Sequence, residues 1–168
     1  MNRLFLLRHA KAVWAAPGVA DFDRPLEASG RDDARRVGKV LAARRLKPGR
    51  VLSSSAMRTV ETWQNLLPVN DGSAQTFNDE RIYSADAPEL LAIIREQDFA
   101  GDLMVVGHNP TMAYVAQMLD DGDGDADAVA AMNEGFPASA VAVFAVEGPW
   151  ADLEMGGARL TAFHVGRG

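Results

Sequence analysis

Short runs of uninterrupted apolar residues limit this chain most: LFLL within residues 3–8, LMVV at 103–106 and AVAVFAV at 140–146. Each is shorter than a helix needs to bury a face, and none has the polar alternation of a strand with one wet side. Such runs suit strands covered on both faces, as in a parallel sheet packed between helical layers. Residues 50–53 and 75–78 read as two further strands, and the segments 139–147 and 159–165 as two late ones able to pair as a hairpin.

The stretches between them carry helical spacing. Ala34, Val37, Val40 and Leu41 recur on one face until Lys47-Pro48-Gly49, and Ser29 with Asp32 is spaced as a capping box. Residues 56–67 form a second helix stopped by Pro68, and Pro88 opens a third that runs to 97. Asn109 is placed as an N-cap with Pro110 at the first helical position of a helix ending near 119. Strands alternating with helices predict an α/β fold: one three-layer α/β/α domain over residues 1–168, with a mostly parallel sheet and an antiparallel strand allowed at its edge.

Composition narrows the function. At 168 residues one domain is the default, and surface scaling buries roughly 70% of the unfolded surface, enough for a core without staples. The absence of Cys removes disulfides, thiolate metal sites and every thiol nucleophile. Seventeen basic against 23 acidic residues, a net charge of -6, argue against a general grip on nucleic acid or an anionic membrane. The N-terminus carries only a four-residue apolar run, too short for a signal peptide, so a cytoplasmic address is expected. The expected partner is small or proteinaceous.

Two of the three His, His9 and His108, fall just past the ends of buried strands, where α/β folds hold their ligands. Arg8 precedes the first. Gly107 precedes the second, with a helix start beyond it, and Arg58 lies in the first turn after another strand. With the strands adjacent, two imidazoles, two guanidiniums and helix N-termini would converge, and a phosphoryl group is the natural guest. A lone His is more often structural, and so is an RH pair alone. It is the combination that carries weight.

LLRHAK, LSSSAMRTVET and VVGHNPTM, in that order and each at a strand-to-helix turn, resemble the histidine phosphatase superfamily, the phosphoglycerate-mutase-like group. DFDRPLEASGRDDA, from Asp21 to Ala34, is similar to the segment after the first motif in its compact SixA-type phosphohistidine phosphatases. The resemblance covers nearly the whole chain. It implies that His9 attacks phosphorus, that Arg8 and Arg58 clamp the phosphate, and that His108 binds the phosphoryl group and helps its transfer. It departs from the common pattern at Ala10, where Gly is frequent, at Ser55 in place of Pro, and at Trp63 in place of Ala. Charge supports the assignment independently: neighbouring arginines disfavour protonation of His9 and keep it nucleophilic. No metal or other cofactor is required, and water would hydrolyse phosphorylated His9 in a second step. The resemblance implies a phosphorylated protein or a small phosphate ester as partner, and a monomer is expected.

The general acid is the least determined role. Glu80 is the first candidate because superfamily members carry an acidic residue in this region; Asp21 and Asp23 are alternatives. Lys11 and Arg24 could extend the cationic rim. Ser53 and Ser54 either donate to phosphate or cap the next helix, with capping favoured. His164 reads as structural. Trp14, Trp63 and Trp150 read as packing residues, with Trp14 also able to line the pocket mouth. Asp123, Asp125, Asp127 and Glu134 fit a formal calcium-loop register, but Ala128 stands where Gly is needed, so a solvated loop is expected. Three other classes compete: a small-molecule phosphomonoester phosphatase or mutase, a noncatalytic phosphate-binding or interaction domain, and, weakest, a metal hydrolase using His9, His108 and His164.

Overall fold

The computed structural model describes residues 1–167. Its strands are β1 (Asn2–Arg8), β2 (Arg50–Ser54), β3 (Gln75–Asp79), β4 (Leu103–Gly107), β5 (Ala140–Val146) and β6 (Ala158–Val165). The helices are α1 (Ala28–Ala43), α2 (Met57–Gln64), α3 (Arg81–Ser84), α4 (Ala87–Arg95), α5 (Thr111–Leu119) and α6 (Ala126–Glu134). One six-stranded sheet has the order β3-β2-β4-β1-β5-β6. β1, β2, β3 and β4 pair in parallel; β5 runs antiparallel to both β1 and β6. The antiparallel strand therefore lies one position inside the edge. β5 and β6 are antiparallel neighbours, as expected of the two late segments.

Alternation along the strands assigns each apolar side chain to one of two cores. Leu4, Leu6, Leu52, Leu103, Val105 and Phe144 face one layer, where they meet α3 to α6 through Ile82, Leu90, Ile94, Met112, Val115 and Met132. Phe5, Leu7, Val51, Met104, Val106 and Val143 face the other, packed on α1 and α2 by Ala34, Val37, Leu41 and Trp63, with Leu66 just beyond α2. β1 and β4 are fully buried on both faces, which is why their sequences show no polar alternation.

Helix ends differ from the sequence expectation in three places. α1 starts at Ala28, with Glu27 at the N-cap and no side-chain cap bond. Ser29 lies inside the helix and donates to Glu27 Oε2 at 3.3 Å, so the capping box does not form. The same helix stops at Ala43 rather than at Lys47. Arg45 adopts φ 57°, its N–H reaches Ala42 O (3.0 Å) and Leu46 N–H reaches Leu41 O (2.9 Å), a Schellman closure without glycine. α5 begins at Thr111 with Pro110 at the N-cap position, and Asn109 still serves the helix because its Oδ1 accepts from Ala113 N–H at 3.3 Å.

The acidic stretch is not only a loop. Asp125 caps α6 by accepting from Ala128 N–H at 2.9 Å, and Arg159 pairs with Asp121 at 3.1 Å and with Asp123 at 3.8 Å. Glu134 lies at the far end of α6. The calcium-like spacing thus serves as a helix start and an ion-pair network. Among the described residues no helix is long and apolar enough to cross a membrane.

The connection after β1 runs toward β2, whereas that after β4 runs toward β5. The crevice at the carboxyl ends of β1 and β4 is therefore a topological switch point, the usual ligand position in such sheets.

Candidate active site

Parallel pairing aligns Arg8 of β1 with Gly107 of β4, and His9 N–H continues the ladder to Gly107 O at 3.1 Å. The residues that follow the two strands, His9 and His108, are thereby side by side, with ring centroids 5.4 Å apart. β2 lies on the other side of β4 and delivers Ser54 and then Arg58 on the first turn of α2. One cleft of about 380 Å³ is lined by Arg8, His9, Lys11, Ala12, Trp14, Arg24, Arg58, His108, Asn109 and Ala138. Larger clefts exist elsewhere, but they lack this clustering of cations and imidazoles.

Hydrogen bonds fix the protonation of His9. Its Nδ1 is 2.7 Å from Ala10 O, and a carbonyl only accepts, so the proton is on Nδ1 and the Nε2 lone pair is free. Burial, the largest cause, pushes its pKa down to about 4; the bond to the Ala10 carbonyl opposes this, and the positive charges of Arg58, Arg8 and Arg24 add to it. Ala10, in the position where Gly is common, is itself fully buried, and its N–H donates to Thr62 Oγ1 at 2.9 Å.

His108 Nε2 is 2.8 Å from Ser54 Oγ. That oxygen also accepts from Ala56 N–H at 3.2 Å, so Ser54 joins the start of α2 to the second imidazole. Burial, then Arg58, lowers the His108 pKa to about 3. Ser54 therefore does more than cap a turn: it orients the second imidazole.

The two guanidiniums are held differently. Arg8 Nη1 donates to Phe136 O at 3.0 Å, a carbonyl shared with Asn109 Nδ2 at 2.8 Å. Arg58 spends both terminal nitrogens on Asp21, Nη1 on its carbonyl (2.8 Å) and Nη2 on Oδ2 (3.0 Å). Tyr83 O–H also donates to Asp21 Oδ2 at 2.6 Å, and Arg24 Nε to Oδ1 at 2.9 Å. These bonds, Tyr83 first, hold the Asp21 pKa down at about 2, so this carboxylate is charged and serves as a bracket. Arg8 Nε, Arg58 Nε and His108 Nδ1 remain buried without a partner among the described residues. Trp150 Nε1 and His164 Nε2, away from the cleft, are unpartnered in the same way.

The expected set is brought together only in part. Arg8, His9, Arg58 and His108 converge, with Lys11 and Arg24 on the rim. Glu80 does not join them: it is exposed and lines a separate cleft with Arg50, Phe77, Arg81 and Gln97. The reason is local, since Glu80 precedes the short α3 at its N-cap position while Tyr83, one turn on, projects to the site and stacks edge-on against His108 at 5.4 Å. Sequence reading did not single out Tyr83; no local pattern marks it, because its partners are 25 and 62 residues away. Of the tryptophans, Trp63 and Trp150 are buried, but Trp14 is 85% exposed at the cleft margin and does not pack. His164 lies on β6 opposite Val141, away from this cleft.

Residues 4–82 match the sequence pattern of the Histidine phosphatase superfamily (branch 1). SixA of Agrobacterium tumefaciens is 35% identical, with 97% of each chain covered and a TM-score of 0.81. The chain belongs to the histidine phosphatase superfamily. Within it this histidine phosphatase is of the SixA type, for SixA of Nakamurella multipartita likewise superposes at a TM-score of 0.83 with 31% identity, covering 97% of this chain and 95% of that one. An uncharacterized protein of Mycobacterium tuberculosis is 40% identical over 166 residues, 96% of this chain and 100% of that one. The superfamily match covers Arg8, His9 and Arg58; His108 lies beyond it, within the span aligned to the SixA structures. This histidine phosphatase is a phosphatase enzyme.

Proposed function

We propose that residues 1–168 form one cytoplasmic, monomeric catalytic domain that hydrolyses phosphohistidine carried by a protein, with His9 as the nucleophile. The observation that carries this reading is a neutral imidazole, proton on Nδ1 and lone pair on Nε2, in a cleft it shares with Arg8, Arg58 and His108. A phosphoryl group supplies oxygen acceptors for the guanidiniums, and the arginine charges offset its own. Two SixA relatives are named as phosphohistidine phosphatases, which favours the same substrate class.

In the first step His9 Nε2 attacks phosphorus in line, and the substrate P–N bond breaks with its electron pair going to the departing imidazole. That imidazole leaves neutral when its other nitrogen is protonated, which water can do near pH 7, so a dedicated carboxylic acid is not needed. The position of Glu80, outside the cleft, is compatible with such a leaving group. In the second step a water oxygen attacks phosphorus, the P–Nε2 bond breaks with its pair returning to His9, and the water proton passes to solvent as phosphate is released. Arg8, Arg58 and His108 hold the equatorial oxygens through both steps, and Asp21, Tyr83 and Ser54 hold Arg58 and His108. Lys11 and Arg24 attract the anion.

The test compares kcat/KM for a histidine-phosphorylated phosphotransfer domain with that for a panel of phosphate monoesters. The reading expects the phosphoprotein to be preferred by tenfold or more, on the order of 1.4 kcal/mol of transition-state binding. Preference for an ester would assign the site to small-molecule phosphomonoester hydrolysis.

A further inference from the structure

Residues 14–20, Trp-Ala-Ala-Pro-Gly-Val-Ala, are apolar throughout and exposed throughout. Trp14 is 85% exposed and Val19 45%. Single exposed hydrophobes are ordinary, but an unbroken apolar run headed by the largest aromatic side chain marks a surface that something covers. The run is also rigidly presented. Val19 N–H donates to Ala16 O at 3.2 Å, and Gly18 has φ 80°, the left-handed value a type II turn takes after its Pro. Its base is clamped by Val13 N–H to Pro25 O (2.9 Å), Asp23 N–H to Ala20 O (2.9 Å) and Arg24 Nη1 to Val13 O (2.6 Å).

This loop borders the catalytic cleft, because Trp14 lines the cavity that also holds His9, Arg8, Arg58, Lys11 and Arg24. We propose that residues 14–20 are the docking surface for a phosphoprotein substrate, and that Trp14 selects a phosphoryl group borne on a protein surface over one on a small free molecule. The proposal rests on the phosphoprotein reading above and adds where the protein part of the substrate binds. Charge complementarity names the occupant. In a chain of net charge -6, four cations gather at this cleft beside an apolar rim. The matching surface carries one anionic phosphoryl group ringed by apolar side chains, which a folded protein offers and a small polar phosphate does not. A Trp offers a large aromatic surface on few rotatable bonds, and such residues dominate interface energetics.

The experiment measures kcat/KM for wild type, Trp14→Ala and Val19→Asp on a histidine-phosphorylated phosphotransfer domain and on p-nitrophenyl phosphate. Both positions are exposed, so both variants should fold. The ratio of the two kcat/KM values should fall about tenfold in each variant, chiefly through KM for the phosphoprotein. An unchanged ratio, whether both activities drop together or neither drops, overturns the docking assignment. A wild-type chain that turns over p-nitrophenyl phosphate but not the phosphoprotein instead overturns the substrate reading, so the two failures are distinguishable.

Discussion

Acidification should destabilise this protein well before its carboxylates titrate. His9 and His108 have pKa values of about 4 and about 3 in the folded chain, against 6.5 for a free imidazole. The folded state therefore binds protons less readily than the unfolded one, and stability present above pH 6.5 is lost as pH falls toward 4. At pH 5 an unfolded imidazole has gained about 2 kcal/mol from protonation while each buried one has gained almost nothing, so the pair costs about 4 kcal/mol relative to pH 8. That is a large fraction of a total stability of roughly 5–15 kcal/mol. His164, also lowered by burial, acts in the same direction. Asp21, Asp71 and Asp79, all lowered by hydrogen bonds, start from 3.8 and matter only further down. Urea unfolding at pH 8, 7, 6 and 5 reads the loss, and His108→Gln should reduce it to about 2 kcal/mol. Stability unchanged or increased at pH 5 would mean that both rings protonate freely in the native cleft, and the argument for a neutral nucleophile would fail.

Two further outcomes follow from packing and from the bracket on Arg58. A Cβ at Gly30 would sit 2.2 Å from Lys11 O, the carbonyl that also accepts from Glu27 N–H, so Gly30→Ala must push α1 off the segment carrying His9. It should lower stability by about 1–3 kcal/mol, seen as a reduced Tm, although Ala is the better helix former; a rise in Tm would contradict the packing. Asp21→Ala removes the acceptor shared by Arg58, Arg24 and Tyr83. Because Asp21 is half exposed, stability should change by less than about 1 kcal/mol, while kcat/KM drops about tenfold as Arg58 loses its orientation.

How much of this was readable in the sequence depends on the range of the forces concerned. The sheet was legible because β1, β4 and β5 are buried on both faces, and burial writes itself directly into apolar runs. Arg8, His9, Arg58 and His108 were legible because strand ends and helix starts are local events. Tyr83, Ser54 as the partner of His108, and Asp21 as a bracket were not, since each role is defined by a contact between distant segments. Glu80 was expected in the cleft because of its place along the chain, and the structure puts it in a separate cleft instead. α6 was hidden by Asp-Gly repeats that look like loop, although Asp125 among them is an ordinary N-cap. The antiparallel strand was expected at the edge, and only pairing places β5 between β1 and β6.

Covalent capture tests the central claim most directly. A rapid acid-free quench of the enzyme during turnover of a radiolabelled phosphohistidine protein, followed by peptide mapping, reports where the phosphoryl group resides. The label should appear on His9, be stable to alkali and labile to acid, and be absent from His9→Ala. Turnover with no label on the enzyme, or with label on His108, would contradict the account.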